Sequence, residues 1–499
     1  MACSFSLHGQ VYSVIMKFSV KIIKREKESA VLVNQQEEQK IIRMTTEPLY
    51  KLICELAVPS IISMMVTALY NMVDTFFVGQ IGTEATAGVG LIFPVMAIIQ
   101  AFGFFFGMGS GNFISRSLGA KNHDEAQTMA STGVFCALIF GFVFLALGCI
   151  FQRPLLYLLG ARTELVNELT VQYAGEYMII ILLGAPFICT SYVLNNQLRF
   201  QGNAMFGMIA LLAGSIINCV LDPLFIFGFD LHVKGAALAT SVGQTISCGL
   251  LYIGTVRSDN LKIHFRDFCP KAYYLKNIAI GGTPSLFRQS LASLSTLCLN
   301  AAAAAAVASE LADESIAAFS IASKITFFAL SAVLGFGQGF QPVCGFSYGA
   351  KKYSRVREGY LFCLKFGILV LFSLCVLAFA FAPQLIALFR DDAQVIAIGT
   401  VALRWQCVTF TLIVVLTMTN MAYQNMGKVV GATILALARQ GLTFIPVVLV
   451  LPRLLSNSLL GVYLSQPVAD ILAFAIAVPM AAKLLRELKE LELSQEAKD

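Results

Sequence analysis

Two carboxylates stand in stretches of this sequence that are otherwise apolar. Asn218 and Asp222 lie four residues apart in one apolar run, so a helix would carry both side chains on the same face. Asp74 has apolar flanks of the same kind. An ionised Asp at the centre of a bilayer costs at least about 2.5 kcal/mol on insertion scales, so such acids are expected to have a function. The pattern indicates that the two acids bind a proton or a cation.

The same two acids are expected to act as a pair. If Asp74 and Asp222 face each other in a dry helix bundle, burial and like-charge repulsion disfavour ionisation of both. We therefore expect the pair to hold at least one proton near neutral pH. Protonation would change how the site binds a cationic substrate, which is the exchange that an antiporter requires.

The composition indicates a membrane protein. Of 499 residues, 57% are hydrophobic and 13% charged, and the mean hydropathy is +0.76. Apolar runs near the ~20 residues needed to cross a bilayer recur along the chain, which favours helices over a β-barrel. The predicted fold class is therefore an all-α polytopic membrane protein with twelve spans: 50–79, 88–115, 127–150, 168–198, 204–227, 235–256, 275–308, 315–346, 356–381, 394–424, 430–452 and 459–482.

Lys and Arg are distributed unequally between alternate loops. One set of loops holds thirteen of them and the other only five, Arg153, Arg162, Lys234, Arg390 and Arg453. By the positive-inside bias the richer set is cytoplasmic, and both termini join it. We therefore expect a multi-pass protein of the inner (plasma) membrane. The richer set consists of Arg116, Lys121, Arg199, Arg257, Lys262, Arg266, Lys271, Lys276, Lys351, Lys352, Arg355, Arg357 and Lys428.

The second half of the chain repeats the first. Residues 117–121 read Ser-Leu-Gly-Ala-Lys and residues 347–351 read Ser-Tyr-Gly-Ala-Lys, each at the end of the second span of its half. Pro59 matches Pro284 and Pro223 matches Pro446, at offsets of about 223 to 230 residues. Six spans per half give both repeats the same direction through the membrane, so a pseudo-two-fold axis along the membrane normal should relate two six-helix bundles.

These features divide the chain into five predicted segments. Residues 1–47 are expected to form a flexible cytoplasmic segment, since their apolar patches are too short to span a membrane. An N-terminal bundle (48–256), a cytoplasmic connector (257–274) and a C-terminal bundle (275–482) follow. The tail, 483–499, continues helically with leucines on one side and is expected to lie along the inner interface.

These stretches resemble the multidrug and toxic compound extrusion (MATE) family, and specifically its prokaryotic DinF-like branch. The resemblance covers residues 48 to about 482. It is carried by Pro59-Ser60, by residues 70–79 around Asp74, by residues 118–121, by residues 218–223 and by residues 235–240. It implies export of organic cations or amphipathic drugs, driven by H⁺ or alternatively Na⁺.

The resemblance also assigns residues to this function. It implies that Asp74, Asn218, Asp222 and Thr240 couple transport to a proton or to Na⁺. Tyr70 and Asn195 match neighbours of that cluster, and Pro59 matches a proline at which the first helix bends. The other branch of the family uses acids in the seventh and tenth spans. Here Arg288 and Gln289 stand near the first of those positions and are expected to contact substrate, and the tenth span has no acid.

The second half carries charges of its own. Arg288, Arg404, Arg439 and Asp470 fall well inside their spans, whereas Lys324 lies nearer an outer end and is expected to reach the interface. Arg439 and Asp470 form either a structural ion pair or part of the cavity wall. The second alternative would give the cavity an acidic N-terminal half and a basic C-terminal half.

The sequence lacks the motifs that are typical of other functional classes. Lys and Arg form no basic stripe, so no nucleic-acid partner is expected, and the four histidines and thirteen cysteines lack metal-ligand spacing. No phosphate-binding loop of the P-loop type occurs, so the chain is not expected to hydrolyse ATP. We expect no cofactor, small-molecule substrates, the lipid bilayer as surroundings, and a monomer.

Two alternatives to a drug antiporter stay open on sequence alone. A flippase for lipid- or glycan-linked substrates could use the same architecture, and the arginines of the second half would suit phosphate head groups. An intramembrane aspartyl enzyme could use the two Asp residues as a dyad, although neither stands in Gly-x-Gly-Asp and a protease would not explain the repeat.

Overall fold

The described part of the chain is built entirely from helices and turns. A computed structural model describes residues 38–161, 167–257, 261–306, 312–390, 392–455 and 458–497. No β-strand occurs among these residues. The all-α polytopic fold class is confirmed. Most of the segment predicted as flexible, residues 1–37, lies outside the described residues, as does Arg162.

The described residues of the first half form eight α-helices. Their bounds are α1 (38–46), α2 (Leu49–Ile81), α3 (Thr83–Gly119), α4 (His123–Ile150), α5 (Gln152–Leu158), α6 (Glu168–Phe200), α7 (Ala204–Pro223) and α8 (His232–Arg257). A π-helical turn, Leu224–Gly228, continues α7 directly after Pro223. A proline cannot donate a backbone hydrogen bond, so the change of winding follows from its position.

In the second half, the part of the chain that the structure describes forms nine α-helices. They are α9 (Ala272–Ala305), α10 (Ala312–Gly349), α11 (Tyr353–Ala380), α12 (Ala382–Ala387), α13 (Ala393–Phe410), α14 (Ile413–Asn425), α15 (Val429–Leu437), α16 (Ile445–Leu454) and α17 (Ser458–Glu496). A π-helical segment, Ala438–Phe444, joins α15 to α16 just before Pro446. The connector between the halves contains one 3₁₀ turn, Phe265–Asp267.

Eleven helical segments among the described residues are long and apolar enough to cross a membrane, by length and composition. The remaining predicted span corresponds to α9, a 34-residue helix that does not meet the same hydropathy criterion. Its polar residues, among them Asn277, Arg288, Gln289 and Asn300, lower its mean hydropathy. The predicted tenth span is also not continuous, because it breaks into α13 and α14 at Thr411 and Leu412.

Both ends of the described chain pack on the bundle. In α1, Ile41 and Met44 are buried, and Arg355 at the start of α11 donates to the Glu47 carbonyl oxygen at 2.6 Å. The predicted tail is the last part of α17. Its Leu484 and Leu488 are fully buried, so the leucine face contacts protein.

The two halves meet through their repeated motifs. A β-carbon added to Gly119 would lie 2.2 Å from the Phe346 carbonyl oxygen, and one added to Gly349 would lie 2.1 Å from the Arg116 carbonyl oxygen. Gly119 and Gly349 are equivalent in the repeat, and so are Phe346 and Arg116. The two contacts are therefore related to each other as contacts across a two-fold axis must be. The helix pairs repeat in the same manner, since α3 packs against α9 and α10 packs against α2. Glycine is required at positions 119 and 349, because a side chain at either position would prevent the two backbones from approaching this closely.

These contacts close one end of the bundle. We call it the basic end, because it carries the turns at residues 120–122 and 350–352 and the other loops rich in Lys and Arg. Lys121 and Lys351 adopt the left-handed conformation there, with φ of 60° and 59°. Arg116 reinforces the closure by donating to the Asn425 carbonyl oxygen of the other half at 2.8 Å. Towards the opposite end the halves separate around a cavity.

Candidate functional site

The two predicted acids are buried in the N-terminal half. Asp74 lies in the last two turns of α2 and is 9% exposed, and Asp222 lies at the end of α7 and is fully buried. The two carboxylates are close enough to repel each other electrostatically. The structure therefore brings together two like charges that are separated by about 150 residues in the sequence.

Two polar side chains complete this cluster. Asn218 Nδ2 lies 3.5 Å from Asp222 Oδ1 and 3.4 Å from Thr240 Oγ1 on α8. Asn218 and Asp222 share a face of α7 because they are one helical turn apart. Asp74, Asn218, Asp222 and Thr240 are hereafter the acid cluster.

Three oxygens of the acid cluster lack a hydrogen-bond donor. Asp74 Oδ1, Asn218 Oδ1 and Asp222 Oδ2 are buried, and no donor reaches them from the described residues. A buried acceptor without a partner costs about 1–3 kcal/mol, and more when it is charged. A proton on one carboxylate, or a hard cation such as Na⁺, would satisfy them, because carboxylate and amide oxygens suit both. The chemistry of the cluster therefore fits reversible binding of a small cation.

Two tyrosines surround the acid cluster. Tyr70, one turn before Asp74 on α2, pairs with the side chain of Gln244 on α8 and reaches the cavity. Tyr177 on α6 is fully buried, interacts electrostatically with both acids and donates its hydroxyl to Met96 Sδ at 3.6 Å. Sequence reasoning missed Tyr177, since a tyrosine in an apolar span carries no signal that separates it from ordinary packing.

Asn195 does not join the cluster. It contacts Gly207 near the start of α7, whereas Asn218 lies 11 residues further along that helix, about 16 Å away. Pro59 lies inside α2, fifteen residues before Asp74, and leaves the Glu55 carbonyl without its helical donor. The structure therefore places Pro59 on the same helix as one of the acids, but at its opposite end.

A cavity of about 810 Å³ lies between the halves. The N-terminal half lines it with apolar, aromatic and uncharged polar groups, which include Tyr70, Met96, Gln100, Ile181, Ile188, Tyr192, Thr240 and Gln244. The C-terminal half lines it with apolar and aromatic groups, such as Leu297, Phe327, Phe410 and Leu416, with the cations Arg288, Lys324 and Arg439, and with the amides Gln289, Asn300, Gln406, Asn420, Gln440 and Gln466. Every charged side chain of the lining is a cation from the second half, and the acids Asp74 and Asp222 lie behind it.

The arginines of the second half therefore differ in their roles. Arg439 lines the cavity and also pairs with the buried Asp470, with 3.6 Å between Nε and Oδ1, so both predicted alternatives hold for it. Gln466 Nε2 supports the same carboxylate at 2.8 Å. Arg404 is exposed outside the cavity and lies over the Phe379 ring. Arg404 therefore does not belong to the set of cavity arginines that the flippase alternative requires, because α13 turns its side chain towards α11.

Two further basic residues were misplaced by the sequence analysis. Lys324 lines the cavity and does not simply reach the interface. Arg199, predicted to lie in a loop, is 5% exposed at the end of α6 and donates to Asn196 Oδ1 at 2.7 Å and to Gln341 Oε1 at 3.3 Å. Position near the end of an apolar run does not reveal on which side of the helix a long cationic side chain points.

The architecture defines the class of protein. Two pseudo-symmetric helical halves, a central cavity closed at one end and an intramembrane acid cluster are features of a secondary transporter. The MatE family model matches the chain twice, over residues 59–224 and 284–450, once in each half. The chain belongs to the MATE family.

Individual relatives agree with this assignment. The multidrug export protein MepA of Staphylococcus saprophyticus is 28% identical over 441 residues, which cover 88% of this chain and 94% of that protein. A solved MATE multidrug resistance transporter in an outward-facing conformation is 27% identical, with a TM-score of 0.82 over 90% of this chain and 98% of the other. A transporter from Pyrococcus furiosus, described as having a binding pocket of reverse polarity that suggests a different function, is 29% identical, with the same TM-score and coverage.

Proposed function

We propose that this protein is a multidrug efflux transporter that exports organic cations or amphipathic drugs in antiport with H⁺. Relatives named multidrug export proteins support the export activity. The observation that supports the coupling is the set of three buried oxygens in the acid cluster that no donor among the described residues reaches. Na⁺ is the alternative coupling ion, because the same oxygens are the ligands that a hard cation prefers.

Transport proceeds by alternating access between the two halves. The basic end is closed by the glycine contacts between α3, α9, α2 and α10, and the cavity lies towards the other end. If the positive-inside bias holds, the basic end is cytoplasmic and this conformation faces outward. Rocking of the halves would separate Gly119 from Phe346 and Gly349 from Arg116, and would open the cavity to the cytoplasm.

The acid cluster links this motion to the ion. Protonation of Asp74 or Asp222 removes a negative charge from behind the N-terminal wall and alters the dipoles of Asn218 and Thr240. The wall then relaxes and releases the substrate on the outer side. Loss of the proton to the cytoplasm resets the cluster. One monovalent ion moving through about 100 mV releases about 2.3 kcal/mol, enough for a roughly fiftyfold gradient of a neutral substrate.

The proposal also includes the location, the topology and the oligomeric state of the protein. The protein acts as a monomer in the cell's inner (plasma) membrane, with both termini in the cytoplasm and the bilayer as its main surroundings. Membership of a transporter family removes the aspartyl-enzyme alternative. A lipid or glycan flippase is the second candidate function, and the positions of Arg288 and Arg439 in the cavity wall favour it.

Export from vesicles with independently imposed gradients tests this proposal. Purified protein is reconstituted, and efflux of a cationic dye is followed with a pH gradient alone, a Na⁺ gradient alone, or neither. We expect a pH gradient to drive efflux. If only a Na⁺ gradient drives efflux, the coupling ion is Na⁺ and not H⁺. If neither gradient changes efflux, antiport is refuted.

A further inference from the structure

The cavity lining carries an excess of positive charge. Arg288, Lys324 and Arg439 all contribute to it, whereas no carboxylate lines it. Of these three cations, only Arg439 has an acid partner among the described residues, namely Asp470 behind the wall. The lining therefore has two positive charges that no carboxylate of the described residues neutralises, and both come from the second half.

Arg288 has a further like charge beside it. Arg199 of the first half is buried and lies within electrostatic range of Arg288. Arg199 is held by neutral groups, Asn196 Oδ1 and Gln341 Oε1, and its Nε has no acceptor in the described structure. Neither of these two guanidinium groups pairs with a carboxylate among the described residues.

Such an arrangement is unfavourable unless an anion joins it. A buried charge without a partner costs several kcal/mol after relaxation, and a second charge of the same sign adds to that cost. Guanidinium groups match carboxylates, sulfonates and phosphates in geometry and can donate two parallel hydrogen bonds to each. The amides Gln289, Asn300 and Gln440 stand in the same wall as further donors.

The facing wall suits the rest of such a ligand. Met96, Ile181, Ile188 and Tyr192 form an apolar and aromatic surface on the N-terminal side. The second half adds apolar groups of its own around its cations, among them Phe327. A ligand would therefore place its polar group at the cations and its apolar body against the rest of the lining. The two walls together select amphipathic molecules with one charged end.

We propose that Arg288 and Lys324 bind the anionic group of an amphipathic substrate, a carboxylate, sulfonate or phosphate, while the apolar part of the cavity lining binds its apolar body. This inference rests on the proposed export function and specifies its substrate class. It also changes the energetics, because a membrane potential that is negative inside drives an anion outward, whereas it opposes export of a cation.

The test compares two dyes that share a xanthene ring system and differ in charge. Carboxyfluorescein is the anionic probe, and a rhodamine ester is the matched cationic probe. Binding of each to the purified full-length protein is measured by fluorescence anisotropy, and efflux of each is followed from vesicles. We expect the protein to bind and export carboxyfluorescein.

Three variants locate the anion site. Arg288→Gln should weaken carboxyfluorescein binding about tenfold or more, because it removes a charge-assisted contact, and should leave rhodamine binding unchanged or tighter. Arg288→Lys, which keeps the charge, should retain most of the binding. Arg404→Gln is the matched control, since that arginine lies outside the cavity. An equal loss of both dyes in Arg288→Gln would mean a general structural effect and would overturn the proposal.

The outcomes separate this inference from the proposed function. If the protein exports the rhodamine ester but neither binds nor exports carboxyfluorescein, the anion site is refuted and the drug exporter stands. If neither dye is exported under any gradient, the proposed function fails as well. A parallel assay with labelled phosphatidylglycerol identifies the source of the anion. Lipid movement that depends on Arg288 would show that the site takes a lipid head group, whereas dye export alone would show a free organic anion.

Discussion

The two halves of this transporter share a backbone plan and differ in charge. Pro59 and Pro284 occupy equivalent places in α2 and α9. The turns after the repeated motifs hold Lys121 and Lys351 at nearly identical φ values of 60° and 59°. These shared features lie where helices bend, turn or contact each other, so they serve the architecture that both halves need.

The charges follow no such symmetry. In the second half, Leu299 or Asn300 corresponds to Asp74, and Ile445 corresponds to Asp222, so the fold does not require acids at these positions. The first half keeps its acids behind the cavity wall, and the second half presents cations on it. We therefore propose that the halves divide the work, with ion coupling in the first and recognition of substrate charge in the second.

The largest expected effect comes from the acids that only the first half has. Asp74→Asn and Asp222→Asn should each reduce coupled export to the background of protein-free vesicles, because an amide cannot exchange a proton near neutral pH. Membrane insertion and abundance should stay near normal, since the fold tolerates neutral residues at the equivalent positions. Dye efflux under a pH gradient measures the first effect, and immunoblotting of membranes measures the second.

A control from the second half sharpens this result. Asp470→Asn alters a buried acid that pairs with Arg439 and lies outside the acid cluster. Its effect should appear in stability and not in the dependence of efflux on the pH gradient. Normal coupled export by both Asp74→Asn and Asp222→Asn would contradict the division of work between the halves.

A smaller and symmetric effect is expected where the halves are alike. Gly119→Val and Gly349→Val each place side-chain atoms against a backbone carbonyl of the other half, at 2.2 and 2.1 Å from the new β-carbon. Overpacking of this kind costs about 1–3 kcal/mol. The equilibrium constant for closing the basic end should therefore fall about five- to 150-fold in each variant. Cysteine-accessibility labelling at the basic end, together with efflux, measures it.

Gly249→Val provides the matched control, because a β-carbon at Gly249 meets nothing within 4 Å. Unequal effects of Gly119→Val and Gly349→Val would show that the basic end does not close about a pseudo-two-fold axis.

The smallest effect is expected at the prolines. Pro59→Ala restores a helix hydrogen bond in α2 and so resists bending of the helix that carries Asp74. It should slow transport a few-fold while changing substrate affinity less, whereas Pro284→Ala, on a helix without an acid, should have the weaker effect on transport. Paired measurements of efflux rate and binding affinity test this. Equal effects of Pro59→Ala on rate and affinity would argue against a hinge.

Much of the architecture was predictable because lipid imposes simple rules. Span length and hydropathy placed most of the long helices within a few residues, for example 168–198 against Glu168–Phe200. The last span, predicted to end at 482, continues as one helix through the predicted tail to Glu496. The break between α13 and α14 was not predictable, since no proline marks it and the apolar run is continuous. The short helices α5 and α12 were missed because they are seven and six residues long.

The candidate site was predictable only in part. Asp74 and Asp222 stood out because carboxylates are rare in apolar runs, and the spacing of Asn218 from Asp222 put them on one face. Which basic side chains line the cavity was harder to predict, because the directions of Lys324, Arg199 and Arg404 depend on how the helices rotate in the bundle. Rotation is set by packing against neighbours, which hydropathy does not report.

The central claim is that protons and substrate compete through the acid cluster of the first half. If protonation weakens substrate binding, linkage requires that substrate binding release a proton. Calorimetry of substrate binding in buffers of different ionisation enthalpy measures that release directly. The account predicts proton release by the wild-type protein near neutral pH and none by the double variant Asp74→Asn/Asp222→Asn. Binding without proton release in the wild type, or release that persists in the double variant, would contradict it.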